Sequence, residues 1–269
     1  MLQVKTTPGN RSMQTKKVIT LLLLLCCFIG LAGCIHNSQK SEERQLSEQF
    51  YQNLLTAFQA GDYQLARAGL DEINKAGIAD KRTLYLEALV NINQNMPDKA
   101  IARLQDAIAL SPKFSEAHNM LGTIYMQQKK YSLAQTEFLK AYENPLYPTP
   151  EKAYHNLGNL YMLQDKQVQA QACYIKAIEL NQDYFPSHYE LSRLYFNSNR
   201  LDLATQEIEK AKKISPKHPG VWLQIGDIEA ARGEGDLAVA AYKKVIKLNP
   251  GSNFADRASQ ELDRINKDY

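Results

Sequence analysis

Residues able to carry out chemistry are few in this chain, and their spacing does not form a reactive site. No histidine belongs to an HExxH motif or accompanies a cysteine cluster, so no zinc site is predicted. The glycines form neither a phosphate-binding loop nor a nucleophile elbow. We therefore expect no catalytic residue, no bound metal and no enzyme activity. The histidines considered are His36, His118, His155, His188 and His218.

The chain begins with the features of a secretory signal. Lys16 and Lys17 precede an apolar run from Val18 to Leu31, which is short for a membrane-spanning helix and typical of a signal-peptide core. The run ends in the tetrapeptide LAGC, residues 31–34.

This tetrapeptide resembles the lipobox of bacterial lipoproteins, in which the cysteine receives lipid and cleavage occurs just before it. The resemblance implies a signal peptide at residues 1–33, with Met13 as an alternative start, and a lipidated Cys34 as the first mature residue. The other interpretation is an uncleaved signal anchor with a chance LAGC. No cofactor other than this covalent lipid is predicted, and an anchor with several acyl chains holds stably to a membrane.

Localisation is implied by the residue after the cysteine. In Gram-negative lipoproteins an Asp at this position favours the inner membrane, whereas Ile35 stands here. The resemblance therefore implies a chain anchored by its lipid in the outer membrane, with its body facing the periplasm.

Removal of the signal segment changes the charge balance. The chain has 32 Lys and Arg against 29 Asp and Glu, but four of the basic residues and none of the acidic ones precede Cys34. The remaining body is close to neutral, so we expect no nucleic-acid partner. Cys173 is then the one cysteine besides Cys34, which leaves no disulfide within the body and favours a small core residue.

After a polar tether at residues 34–46, the chain repeats a motif in which an alanine is followed four residues later by a large apolar side chain. Successive alanines are separated by 34, 34, 36, 34 and 34 residues. The pairs are Ala66 with Leu70, Ala100 with Leu104, Ala134 with Phe138, Ala170 with Tyr174, Ala204 with Ile208, and Ala238 with Tyr242.

A small residue precedes most of these alanines by about twelve positions, and this combined pattern resembles the tetratricopeptide repeat. The small residues are Ala88, Gly122, Gly158, Ser192 and Gly226. The resemblance implies an all-α, right-handed α-solenoid of about six repeats at residues 47–251, followed by a capping helix at 252–269. We expect Gly158 to meet the partner helix near Ala170, and Ser252 to be the N-cap of the last helix. His118 and His188 occupy the position that Trp222 holds in the last repeat, which favours packing.

In this architecture the first helix of each repeat lines a groove, with its second, fifth, ninth and twelfth residues pointing inward. Aromatic, methionine and amide side chains at these positions suit an extended or helical peptide, although each residue could equally pack between repeats. Replacing Tyr189 and Phe196 by Ala is expected to weaken partner binding and leave the melting temperature unchanged. The candidate groove residues are Tyr85, Leu89, Asn119, Met126, His155, Asn159, Met162, Tyr189, Arg193 and Phe196.

The segment ENPLYPTPEKAYHNLG, residues 143–158, lies where the period lengthens to 36 residues. Its prolines exclude a continuous helix, so we predict a longer joint at 144–150 within the array, with Thr149 as the cap and Pro150 in the first turn of the next helix. Leu146 and Tyr147 are expected either to fold back as packing or to be presented as a contact.

The LYP and NLG tripeptides of this segment resemble the junction between the third and fourth repeats of the PilF/PilW-type lipoproteins of type IV pilus biogenesis. The resemblance implies pilotin activity, in which an outer-membrane lipoprotein binds secretin subunits and promotes their localisation and multimerisation. Two alternatives stay open: a lipoprotein scaffold for periplasmic peptidases or peptidoglycan enzymes, and a structural member of an outer-membrane assembly complex. The sequence leaves the oligomeric state undecided.

Overall fold

The computed structural model describes residues 48–268, so the predicted signal peptide, Cys34 and the tether lie outside the described residues. All regular secondary structure in this range is helical, which confirms the predicted all-α class. Six consecutive helix pairs, from α1 with α2 to α11 with α12, precede a last helix. The helices are α1 (48–59), α2 (Tyr63–Ala76), α3 (Lys81–Asn93), α4 (Pro97–Leu110), α5 (Ser115–Gln127), α6 (Tyr131–Glu143), α7 (Pro150–Leu163), α8 (Gln167–Leu180), α9 (Phe185–Asn197), α10 (Leu201–Ile214), α11 (Pro219–Ala231), α12 (Gly235–Leu248) and α13 (Asn253–Asp268).

The described chain falls into two compact units, residues 48–86 and residues 87–268, divided within α3. None of the helices between residues 48 and 268 combines the length and apolarity that a membrane span requires.

In the first unit the packing between α1 and α2 uses a large residue where the other repeats have a small one. Leu54 of α1 is buried, and a Cβ added to Gly69 of α2 would lie 2.2 Å from the Leu54 Cδ2. The absence of a side chain at Gly69 therefore makes room for Leu54. This exchange explains how the atypical first repeat still forms a helix pair.

In the second unit, three helix pairs cross where a glycine of the first helix meets an aromatic ring of the second. A Cβ added to Gly122, Gly158 or Gly226 would lie within 2.4 to 2.7 Å of the opposing ring. These rings belong to Phe138, Tyr174 and Tyr242. The sequence predicts that Gly158 meets the partner helix near Ala170, and the nearest atoms to its added Cβ belong to the Tyr174 ring, one turn further along that helix. A glycine is required here because any side chain would overlap a buried ring.

Neighbouring pairs of the second unit share their core. Tyr174 of α8, Leu191 of α9, Ile208 of α10 and Val221 of α11 belong to one buried cluster. A single pair could not bury this apolar surface alone, so each pair is stabilised by the next.

The turn inside each helix pair repeats one backbone conformation. Each turn contains one residue with a φ angle between 56° and 81°, in the left-handed region. This region disfavours side chains other than glycine, asparagine and aspartate. The residues are Gly61, Asn95, Lys129, Asp165, Asn199 and Gly233, and their spacing follows that of the alanines.

The longer joint after α6 is held by Asn144. Its Nδ2 donates to the carbonyl oxygen of Lys113 at 2.9 Å, and its Oδ1 accepts from the Leu146 backbone N–H at 3.1 Å. Tyr147 is 6% exposed and packs on Ala141 and Ala153, whereas Leu146 is 86% exposed. One of the two residues therefore folds back and the other is presented to solvent.

The ends of the joint and of the array differ in how their helices are capped. Thr149 is the N-cap residue of α7 and Pro150 lies in its first turn, as predicted, but the Thr149 side chain makes no capping hydrogen bond. At α13 the Oγ of Ser252 accepts from the Ala255 N–H at 3.2 Å, as expected of an N-cap.

Substituting Gly158 separates two opposing effects. Helix propensity alone predicts that Gly158→Ala stabilises the protein by about 1 kcal/mol. The added methyl group would instead overlap the Tyr174 ring, so we expect a net loss of about 1 to 3 kcal/mol in urea unfolding. The loss should be smaller when measured in a Tyr174→Leu background. Stabilisation by Gly158→Ala would contradict the packing assignment.

Candidate functional site

The predicted groove residues of the second unit, all of them except Tyr85, define what we call the first-helix face. Tyr85 belongs to the first unit and the other nine residues to the second. Arg193 is exposed, His155 is buried, and the remaining eight are partly exposed. Among the ten predicted residues, His155 is the one whose side chain is buried.

Amide side chains connect the first helices of neighbouring pairs. The Nδ2 of Asn156 on α7 donates to the Oδ1 of Asn119 on α5 at 3.0 Å. Both side chains are partly exposed, so each keeps hydrogen-bonding groups directed toward solvent. The structure thus brings one predicted residue, Asn119, against Asn156, which the sequence had not selected.

His155 lies at the centre of a buried hydrogen-bond chain. The Tyr174 hydroxyl donates to the Oδ1 of Asn159 at 2.7 Å, and the Asn159 Nδ2 donates to the His155 Nε2 at 3.1 Å. The Nδ1 of His155 therefore carries the ring proton and donates to the Ser187 Oγ at 3.1 Å. Burial lowers the pKa of His155 to about 4, which keeps the ring neutral.

The surroundings of the ninth residue of a repeat depend on the residue of the second helix that packs against it. Tyr174 holds Asn159, and in the last repeat the Tyr242 hydroxyl donates to the Asp227 Oδ1 at 3.0 Å. Arg193 occupies the same position in the intervening repeat, where Ile208 has no hydroxyl to offer. The Arg193 side chain is consequently 50% exposed and pairs with Glu190 on its own helix.

A pocket between α7 and α9 collects three of the predicted residues: Asn159, Met162 and Arg193. Its volume is about 340 Å³. Glu190 and Asn197 also line it, although neither was predicted. We call this site the α7–α9 pocket. It combines an apolar wall with amide and guanidinium groups, which suits one side chain and the adjoining backbone of a bound peptide.

Tyr189 and Phe196 mainly pack against the protein. Both contact the core cluster of α8 to α11, and the Tyr189 ring stacks on Phe185 with centroids 5.9 Å apart. A Cβ added to Gly220 would lie 2.8 Å from the Tyr189 hydroxyl oxygen. Replacing both rings by Ala is thus expected to lower the melting temperature, unlike the expectation drawn from the sequence.

The C-terminal end of the first-helix face contains residues that the sequence analysis missed. Asp227 accepts from the Arg257 guanidinium at 2.7 Å, and burial raises the pKa of Asp227. The predicted groove residues end with the repeat that begins at Phe185, and the same spacing applied from Pro219 identifies Asp227. Arg257 lies on the capping helix α13, outside the repeat period, so no spacing rule could identify it.

His118 and His188 are structural residues, as their position in the repeat indicated. The Nδ1 of His118 lies 2.6 Å from the Glu137 Oε2 and its Nε2 lies 3.0 Å from the Pro112 carbonyl oxygen. His188 contacts Glu207 and the Gln182 carbonyl in the same way, and the Trp222 Nε1 donates to the Pro216 carbonyl oxygen at 2.8 Å. Each ring therefore hydrogen-bonds the carbonyl six residues before it.

The acidic partners and the lone cysteine fit the same structural interpretation. Although burial opposes it, hydrogen bonds from His118 and Lys140 hold the pKa of Glu137 below its usual value. Cys173 is buried, and burial raises the pKa of its thiol to about 11. A thiol in this state is a poor nucleophile. Within residues 48–268, no group of His, Cys, Asp and Glu could hold a metal ion.

Comparison with known families agrees with the helix pairs. Models described as "Tetratricopeptide repeat" match residues 85–149 and residues 151–184, 185–218 and 219–252, more than half of the sequence in total. The chain therefore belongs to the tetratricopeptide-repeat family. Repeats of this family form protein-interaction scaffolds.

Two solved structures show a similar fold. PilF of Pseudomonas aeruginosa is 20% identical, with a TM-score of 0.71 over 80% of this chain and 96% of that one. PilW, described as a widely conserved type IV pilus biogenesis factor, is 21% identical, with a TM-score of 0.71 over 79% of this chain and 98% of that one. At these identities the similarity concerns the fold alone.

One curated relative matches a part of the chain. DnaJ homolog subfamily C member 3 of Gallus gallus is 30% identical over 107 residues, which is 38% of this chain and 21% of the relative. The chain thus spans about a fifth of that protein's length.

Burial of neutral His155 should make the protein sensitive to acid. Above about pH 6.5 the ring is neutral in both states, and the stability of the folded state falls as the pH drops toward 4, because only the unfolded chain takes up the proton in this range. From about pH 7 to about pH 5 this loss of stability amounts to about 2 kcal/mol. Urea unfolding at both pH values should show a smaller loss for His155→Gln than for the wild type. An equal loss in the two proteins would contradict the assignment.

Proposed function

We propose that this protein is an outer-membrane lipoprotein adaptor, a pilotin that binds secretin subunits and promotes their localisation and multimerisation for type IV pilus biogenesis. The observation that carries the proposal is the joint at residues 144–150, whose LYP sequence and following NLG resemble the PilF/PilW-type junction. The similarity in fold over nearly the full PilF and PilW chains supports it. The lipobox at Cys34 supplies the membrane anchor that a pilotin needs.

The joint has a structure suited to its proposed role in one continuous scaffold. Asn144 fixes the loop to the start of α5, through the Lys113 carbonyl oxygen and the Ser115 Oγ. The Tyr147 side chain is buried, so the joint lengthens the connection between α6 and α7 while it remains packed against both helices. A partner would then meet α5, α7 and α9 as a rigid surface.

The α7–α9 pocket is the proposed contact for a secretin segment. Arg193 and Asn197 are exposed, and the ion pair of Arg193 with Glu190 is a surface pair that contributes at most about 1 kcal/mol. A partner carboxylate or backbone carbonyl can therefore replace Glu190 at little cost. Met162 offers an adaptable apolar wall for the adjoining side chain.

Deletion of the gene is expected to leave secretin monomers in place of heat-resistant multimers. The multimers are measured by electrophoresis of unheated and heated envelope fractions, followed by immunoblotting for the secretin. Complementation with wild type should restore them, whereas Cys34→Ser should restore less, because the anchor is lost. Unchanged multimers in the deletion strain would exclude the proposal, and copurification of a peptidase in place of the secretin would favour a scaffold for periplasmic enzymes.

The contact residues are tested with the purified protein and its secretin. Arg193→Ala combined with Asn197→Ala should weaken binding about tenfold or more, because a central polar contact is lost, while the melting temperature stays within a few degrees of wild type. Lys176→Ala is the matched control, since it removes an exposed lysine of α8 whose partner is Glu179. Equal effects of the double variant and the control on affinity would contradict the assigned pocket.

A further inference from the structure

A second pocket opens on the other side of the helix pairs, between the second helices α8 and α10. Its volume is about 610 Å³, and we call it the α8–α10 pocket. Ile175 and Ile178 of α8, Leu191 and Tyr195 of α9, and Ile214 of α10 form its apolar lining. Its charged lining includes Glu179, Asp183 and Lys210. None of these residues belongs to the α7–α9 pocket.

The preceding repeat fills the corresponding place with aromatic rings. Tyr142 of α6 stands eight residues after its repeat's alanine, as Ile178 does, and Tyr154 of α7 stands where His188 stands in α9. The rings of Tyr142 and Tyr154 stack with centroids 4.6 Å apart. The space between α6 and α8 is thus occupied by the protein's own side chains.

The following repeat fills the same place with one indole ring. Trp222 of α11 has the Nζ of Lys212 and the Nζ of Lys244 each 5.6 Å from its ring. Lys212 and Lys244 correspond in register to Ile178 and Lys210 of the α8–α10 pocket. The repeats on either side of this pocket therefore both place a large aromatic ring, Tyr154 or Trp222, at the position that corresponds to His188.

The α8–α10 pocket is open because neither Ile178 nor His188, which hold these two register positions, fills it. Ile178 is smaller than Tyr142. His188 is only 2% exposed, since its two ring nitrogens are held inward by Glu207 and the Gln182 carbonyl. The pocket has the surrounding groups of an aromatic site, with an apolar floor and Lys210 at the position that Lys244 holds beside Trp222, but neither of these two register positions carries a tyrosine or tryptophan.

We propose that the α8–α10 pocket binds a tryptophan or tyrosine side chain presented by a protein partner. The ring lies on Ile175 and Ile178 with Lys210 beside its face, as Lys244 lies beside Trp222. Its N–H or O–H group donates to the carboxylate of Asp183 or Glu179. Trp222 donates to the Pro216 carbonyl, but the corresponding carbonyl in this pocket, that of Gln182, is already hydrogen-bonded to His188. This surface is separate from the proposed secretin contact and does not depend on it.

The pocket is tested by NMR on the full chain in detergent, with labelled isoleucine methyl groups and N-acetyl-L-tryptophanamide as the probe. We expect saturable shifts at Ile175, Ile178 and Ile214, with the buried core residue Ile228 unchanged. N-acetyl-L-leucinamide should require about tenfold higher concentration to produce them. Absence of saturation, or shifts spread evenly over the isoleucines, would overturn the proposal.

Two filled variants identify the site. Ile178→Tyr introduces the residue that the preceding repeat has at this position, Tyr142, and should abolish the shifts of Ile175 and Ile214. Ile214→Phe fills the pocket from α10 and should abolish the shift of Ile175. Leu180→Tyr adds the same ring on α8 at an exposed residue outside the pocket and should leave binding intact. Circular dichroism verifies that each variant is folded. Undiminished shifts in a folded, filled variant would place the probe elsewhere and refute the pocket.

Discussion

The close approach of two helices at one small residue is the contact on which the repeats depend. Gly122, Gly158 and Gly226 each let an aromatic ring from the partner helix rest directly on the backbone. Because the ring fills the space that a side chain would take, the two helices pack closely at the crossing. Ser192 shows how a slightly larger residue is tolerated, since its Oγ donates to the Ala204 carbonyl oxygen at 2.8 Å.

This packing contact also decides which polar groups face a partner. The tyrosines behind Asn159 and Asp227 donate their hydroxyls to these residues and hold them in place. Ile208 cannot do so, and Arg193 is therefore directed to solvent. The core residue of the second helix thus decides whether the first helix presents an amide held by a tyrosine, a largely buried carboxylate or an exposed guanidinium group, and this links stability to recognition.

The same scaffold varies on the face formed by its second helices. In three successive repeats the corresponding register positions hold stacked tyrosines, an isoleucine with an inward-turned histidine, and a tryptophan between lysines. None of these changes disturbs the helix pairs, because the crossings use other positions. The repeats therefore specify a common fold while each one presents its own surface chemistry, and function has to be sought in these differences.

The period of the alanines and small residues was sufficient to predict the helix pairs, the longer joint and the capping helix, because local spacing records which face of each helix is buried. It also predicts that His118, His188 and Trp222 occupy equivalent positions of their repeats. Only the tertiary structure decided that His155 is buried, that Leu146 and Tyr147 have opposite environments, and that Arg257 reaches Asp227. These outcomes depend on atoms of neighbouring repeats, and a repeat period describes each unit without stating what its neighbour places against it.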